Sequence, residues 1–103
     1  MNMLKIEEAV DLTAVANGAW VDLSASPFLE GWGAIAVLNL NGVTGTGSLK
    51  IQGTNDSGTT IDDLVTVTAN GPDSLANVSG YAQVRVSVVT VFTAGTANAY
   101  LLG

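Results

Sequence analysis

Nine carboxylates, three basic residues and no histidine or cysteine bound what chemistry this chain can do. Without His it lacks the commonest general base and metal ligand, and without Cys it has no thiolate or disulfide. Acid–base work would fall to Glu7, Glu8, Glu30, Asp62, Asp63 or Asp73. Glycoside hydrolysis needs two carboxylates facing each other across a sugar, and the spacing singles out no such pair. Asp62 and Asp63 are adjacent, so a regular strand points them to opposite faces; they read as solvated or bulge residues. Asn55-Asp56-Ser57-Gly58 with Asp62 offers oxygen ligands for a calcium ion. The EF-hand spacing is absent, however, and turns favour the same residue types for backbone reasons. Gly42 to Gly47 is glycine-rich but lacks a phosphate-binding Lys and a following helix, so it reads as a loop. The expectation is no catalytic set, no metal and no cofactor.

The aromatics are the other candidates. Trp20, Trp32 and Tyr81 could stack on sugar rings, but core packing is the favoured reading because aromatics bury large areas. Trp20 is the candidate to plug the core. Trp32, bracketed by Gly31 and Gly33, is the least core-like of the three.

A chain of 103 residues is expected to form one domain, residues 1–103, and to bury about two thirds of its unfolded surface without staples. The net charge is −6, and only Lys5, Lys50 and Arg85 are basic, which argues against nucleic acid and anionic membranes as partners. Charged residues make up 12% and hydrophobic residues 48%. So little charge on a free monomer suggests that partner chains cover part of the surface; a compact monomer rich in Thr, Ser and Asn is the other reading. No stretch reaches the ~18 apolar residues of a membrane span. The start, Met1 to Glu8, meets charge too early for a signal peptide, so synthesis in a cytoplasm is expected.

The elements that must position these residues read as strands. Leu4, Ile6, Val10 and Leu12 share a parity, with an irregularity at Glu8-Ala9. Asn17-Gly18 reads as a tight turn before a short strand from Ala19 to Leu23, which Pro27 helps to end. Phe28 to Gly33 is an irregular aromatic loop. Ala34 to Asn41 is a strand apolar on both faces, with Ile35 and Val37 opposite Ala36, Leu38 and Leu40. Asn41-Gly42 is a second turn signal. Leu49 to Gly53 and Ile61 to Thr68 form a hairpin around Thr54–Gly58, in which a bulge at Asp62-Asp63 would bring Leu64 into phase. Asn70-Gly71-Pro72-Asp73 is the sharpest turn signal. Leu75 to Val78 fits a short strand or one turn of helix. Tyr81 to Phe92 is a long alternating strand, and Ala94-Gly95 turns it into a last strand, Thr96 to Leu102. No internal repeat, low-complexity tail or linker stands out. Seven or eight strands without helical periodicity predict an all-β antiparallel sandwich or jelly roll.

Two stretches carry a family resemblance. Leu49-Lys50-Ile51-Gln52-Gly53-Thr54-Asn55-Asp56-Ser57-Gly58-Thr59-Thr60 resembles the hairpin of small β-sandwich virion proteins of tailed bacteriophages. The segment from Tyr81 to Ser87, with Thr93 to Gly103, is similar to their C-terminal hairpin. The pattern departs at Ile61, near where an aromatic is common, and galactose-binding and discoidin-like sandwiches use similar hairpins. The resemblance implies a capsid decoration, or cement, protein on the virion surface. Its partners would be the major capsid protein and copies of itself, as a homodimer or homotrimer. A partner surface is then expected at Met1, Met3 and Leu4, at Phe28, Leu29 and Trp32 of the aromatic loop, and at Ile35 and Val37. A tail or fibre module is the alternative within the virion. A carbohydrate-binding module with Trp32 and Tyr81 as platform is the alternative outside it.

Overall fold

Leu49, Ile51, Val84, Val86 and Val88 alternate with Lys50, Gln52, Arg85 and Ser87, and folding sorts the two series onto opposite faces of one sheet. The computed structural model describes residues 3–23 and 35–102. They form nine strands: β1 (Met3–Asp11), β2 (Ala16–Asn17), β3 (Val21–Asp22), β4 (Ile35–Thr44), β5 (Ser48–Thr54), β6 (Asp62–Val67), β7 (Ser74–Asn77), β8 (Gln83–Thr90) and β9 (Ala94–Leu102). The expected seven or eight becomes nine because two of these, β2 and β3, are two-residue pieces that both pair with β8. The segment from Leu75 resolves as a strand, pairing with Ile35 to Leu38.

The strands make an antiparallel sandwich. A front sheet has the order β1-β9-β4-β7, and a back sheet has β2-β8-β5-β6 with β3 also on β8. The overall extents, 39 × 31 × 16 Å, are those of a two-layer slab. Ala36, Ala76, Ala97 and Ala99 of the front sheet are buried, as are Leu49, Ile51, Val84, Val86 and Val88 of the back sheet. Small residues on one inner face leave room for branched ones on the other, which lets the layers interdigitate. Leu12, Leu38 and Leu101, each 0% exposed, complete the core.

Among the described residues, only β5 and β6 form a hairpin between consecutive strands. Apart from the step from β2 to β3, every other connection carries the chain to the opposite sheet. The C-terminal segment is therefore no hairpin: β8 and β9 lie in different sheets. The arch between them is tied down by Phe92 N–H donating to the Leu12 carbonyl (2.8 Å) and Thr93 N–H to that of Thr44 (3.0 Å). Gly95 takes φ +124°, and a Cβ there would sit 2.6 Å from Val43 Cα, so this corner requires glycine.

Three local expectations are corrected. Asn17-Gly18 is no turn: Asn17 lies in β2 and Gly18 N–H donates to the Val86 carbonyl at 2.8 Å, while the chain turns at Leu12–Ala14. Asn41-Gly42 lies inside β4, where Gly42, at φ +62°, falls in a bulge between the Asn41 and Thr44 pairings. The hairpin bulge is at Leu64, because Ile51 pairs with Val65 and Gln52 with Asp63. The irregularity expected in β1 is present: its register with β9 shifts twice between Lys5 and Val10, and Ala9 takes φ 53°.

Candidate interaction face

The outer faces of the two sheets differ in chemistry. On the back sheet the side chains pair with one another. Lys50 Nζ donates to Asp63 Oδ2 at 2.6 Å and Gln52 Nε2 donates to Asp63 Oδ1 at 2.9 Å. Arg85 Nε donates to Gln52 Oε1 at 3.0 Å, and Ser87 Oγ donates to Asn17 Oδ1 at 2.7 Å. The Lys50 ammonium, then the Gln52 amide, hold the Asp63 carboxyl below the usual carboxylate range. Trp20 belongs to this surface and not to the core. Its ring lies 4.4 Å beneath the Arg85 guanidinium, in cation–π contact, and its edge rests against Gly58. The reason is register: β3 begins at Val21, which packs against the core, so its neighbour must face outward.

The loop between β5 and β6 closes on itself. Thr54, 1% exposed, has its hydroxyl 2.7 Å from the Thr60 carbonyl and 2.8 Å from Asp56 Oδ1, and accepts from Gly58 N–H at 3.0 Å. Thr60 N–H, donating at 2.7 Å, is the main reason the Asp56 carboxyl is held below its ordinary value. Asn55 Oδ1 accepts from Ala82 N–H at 2.7 Å. The oxygens that could have suited calcium are thus committed to turn geometry, and among the described residues no group of three metal-ligating side chains converges. Asp62 and Asp63 do part to different partners. Asp62 accepts from the Tyr81 hydroxyl at 2.8 Å, which raises the phenol above its usual value. The Tyr81 ring lies over Gly53, so its hydroxyl and one side are already occupied.

The front sheet's outer face is apolar at one end. Backbone register places Lys5, Tyr100, Val37 and Leu75 in one row across β1, β9, β4 and β7, with Leu102, Ile35 and Asn77 in the next. Leu75 is 65% exposed and Ile35 36%, whereas Val37 is only 3% exposed although it lies on the side away from the core cluster. At the other end the face turns polar, with Asn39 Nδ2 donating to Asp73 Oδ1 at 2.9 Å. Of the residues expected at a partner surface, Ile35 and Val37 are brought together here. Met3 and Leu4 enter as the first residues of the edge strand, paired with Leu102 and Leu101. Met1, Phe28, Leu29 and Trp32 lie outside the described residues. Sequence reading missed Leu75 and Tyr100. The alternation of β9 pointed to Tyr100, but nothing local to Leu75 showed that β7 would sit beside β4.

Beside this face, where β1 bulges from β9, a hollow of about 290 Å³ is lined by Lys5, Glu7, Glu8, Asn98, Ala99 and Tyr100. Lys5 and Glu8 form an exposed ion pair across 2.7 Å, and Ala9 N–H donates to Asn98 Oδ1. The hollow holds no Ser, Thr or Cys nucleophile and falls at the bottom of the size range of ligand sites, roughly 300–1,000 Å³.

No protein-family model matches the chain, and no curated protein matches it by sequence. Among solved structures, the chain is similar to the SPBc2 prophage-derived protein YomS, with a TM-score of 0.63 over 99% of this chain and 92% of that one. The two are 11% identical, so what they share is the fold.

Proposed function

We propose that this chain is a structural protein of a tailed-phage virion, a cement protein that adheres to the assembled capsid and bridges neighbouring capsomers without catalysis. The carrying observation is the contrast between the faces: the back sheet satisfies its own polar groups, and the front sheet leaves Leu75 and Ile35 open beside Tyr100. Val15, Ile61, Val89 and Val91 are also exposed, but Leu75 and Ile35 lie on neighbouring rows of one sheet face, and a contiguous exposed apolar patch marks a contact surface. We also read the strand order, with β2 and β3 as one interrupted strand, as a jelly roll, an architecture used in viral capsid and lectin domains. The fold shared with a prophage-derived protein supports the same assignment. Binding only the assembled shell would stabilise it by mass action, and several weak contacts per oligomer would suffice through avidity.

The test is co-sedimentation of the purified protein with mature capsids, beside light scattering of the free protein. A small symmetric oligomer that binds shells and loses binding on Leu75→Asp is expected. A monomer without capsid affinity would overturn the reading. Attachment to tails in a virion reconstruction would favour the tail or fibre alternative.

A further inference from the structure

Three Asn-Gly pairs occur in the chain, Asn17-Gly18, Asn41-Gly42 and Asn70-Gly71. Such a pair can undergo an uncatalysed reaction with water alone as co-reactant. The glycine backbone nitrogen attacks the asparagine Cγ, forming a C–N bond as the Cγ–Nδ2 bond breaks. The departing amide nitrogen takes up the proton lost from the glycine nitrogen and leaves as ammonia. Water then opens the five-membered imide at either carbonyl, giving aspartate or isoaspartate. The sequence presents the three sites as chemically equal, since each asparagine is followed by a residue without Cβ to hinder attack.

The fold makes them unequal. Asn17 is held in β2, its Oδ1 accepting from Ser87, and the Gly18 nitrogen is committed to Val86. Asn41 pairs with Thr96 in β4, and its Nδ2 donates to Asn39 Oδ1 at 3.1 Å. At Asn17 an extended strand, with ψ near +135°, holds the following nitrogen away from Cγ; at Asn41, although Gly42 sits in the bulge, the Thr96 pairing and the bond to Asn39 hold the residue in place. Asn70-Gly71 lies outside every strand, in the link from β6 to β7. As at Asn41-Gly42, both residues are exposed and a Cβ on the glycine would meet nothing within 4 Å; what sets this pair apart is that, among the described residues, Asn70 has no strand pairing and makes no hydrogen bond.

We propose that Asn70 is a site of spontaneous deamidation, adding a negative charge and an isoaspartyl linkage to the connection between the sheets. The inference is independent of the capsid assignment. The test is peptide mapping by mass spectrometry of the intact folded chain, aged at mildly alkaline pH, with isoaspartate-specific methylation as a second readout. The Asn70 peptide is expected to convert about tenfold or more faster than those holding Asn17 and Asn41, with the rates converging in denaturant. Gly71→Ala, for which there is space, should suppress conversion at Asn70 alone. Equal rates at the three sites in the folded chain, or no conversion at Asn70 while the denatured chain converts, would overturn the proposal.

Discussion

The outer faces of the two sheets are built from the same alternating pattern and end with opposite characters. On the back sheet, Lys50, Gln52, Asp63 and Arg85 form a chain of hydrogen bonds, and the Arg85 guanidinium lies over the Trp20 ring. On the front sheet, Ile35, Val37, Leu75, Tyr100 and Leu102 share rows with no polar network among them. A face that has satisfied itself gains little by meeting a partner, whereas an apolar face in water gains by being covered. Under the proposed function, the front face is the one that would meet the shell.

The largest expected effect tests how the front face divides. Val37 is 3% exposed, so Val37→Asp would bury an unpaired carboxylate and cost roughly 2–4 kcal/mol, read as a fall in denaturation midpoint. Leu75, in the same row and 65% exposed, should behave differently. Leu75→Asp is expected to leave stability within about 0.5 kcal/mol while weakening capsid binding at least about tenfold. Equal destabilisation by both would erase the distinction between the covered and open halves of this face.

The back face is expected to respond the other way. Arg85→Ala removes the cation–π contact and the bond to Gln52 and should cost about 1–2 kcal/mol, with capsid binding unchanged in co-sedimentation. Loss of binding without loss of stability would reverse the assignment of the two faces. The smallest effect is electrostatic. The folded-state values of Asp11, Asp56 and Asp63 lie below their ordinary ones, through the Thr13 hydroxyl, the Thr60 N–H and the Lys50 ammonium respectively. Their contribution is complete above the unfolded carboxylate value, about 3.9, and is lost as pH falls through the depressed folded values. Melting temperature should therefore drop on acidification below that value, and Asp63→Asn should make the drop shallower. An unchanged profile in that variant would show that the Lys50 pair contributes nothing measurable.

Much of the fold was legible in the residues. The alternation from Leu49 to Gly53 and from Gln83 to Val88 announced two half-buried strands, and the Thr54–Gly58 cluster announced the turn between β5 and β6. Trp20 was misread because bulk apolar area argues for burial, whereas its side was decided by where β3 meets β8. The Asn-Gly signals at residues 17 and 41 were misread because pairing with one neighbouring strand, β8 for Asn17 and β9 for Asn41, outweighs local turn preference. Of the candidate surface, Ile35 and Val37 were visible as apolar residues on the wrong parity for the core. Leu75 was not, since its neighbour Val37 is nearly forty positions away.

By itself the sequence determined which residues alternate, and hence that the chain is β-rich. It also determined that histidine and thiol chemistry are absent and that its charge is low and acidic. Tertiary structure alone decided which strands lie side by side, because a period of two assigns each residue to a face without assigning the face to a sheet. That choice put β8 and β9 in different layers, gathered Leu75 with Tyr100, and left one of the three asparagines of the Asn-Gly pairs outside every strand.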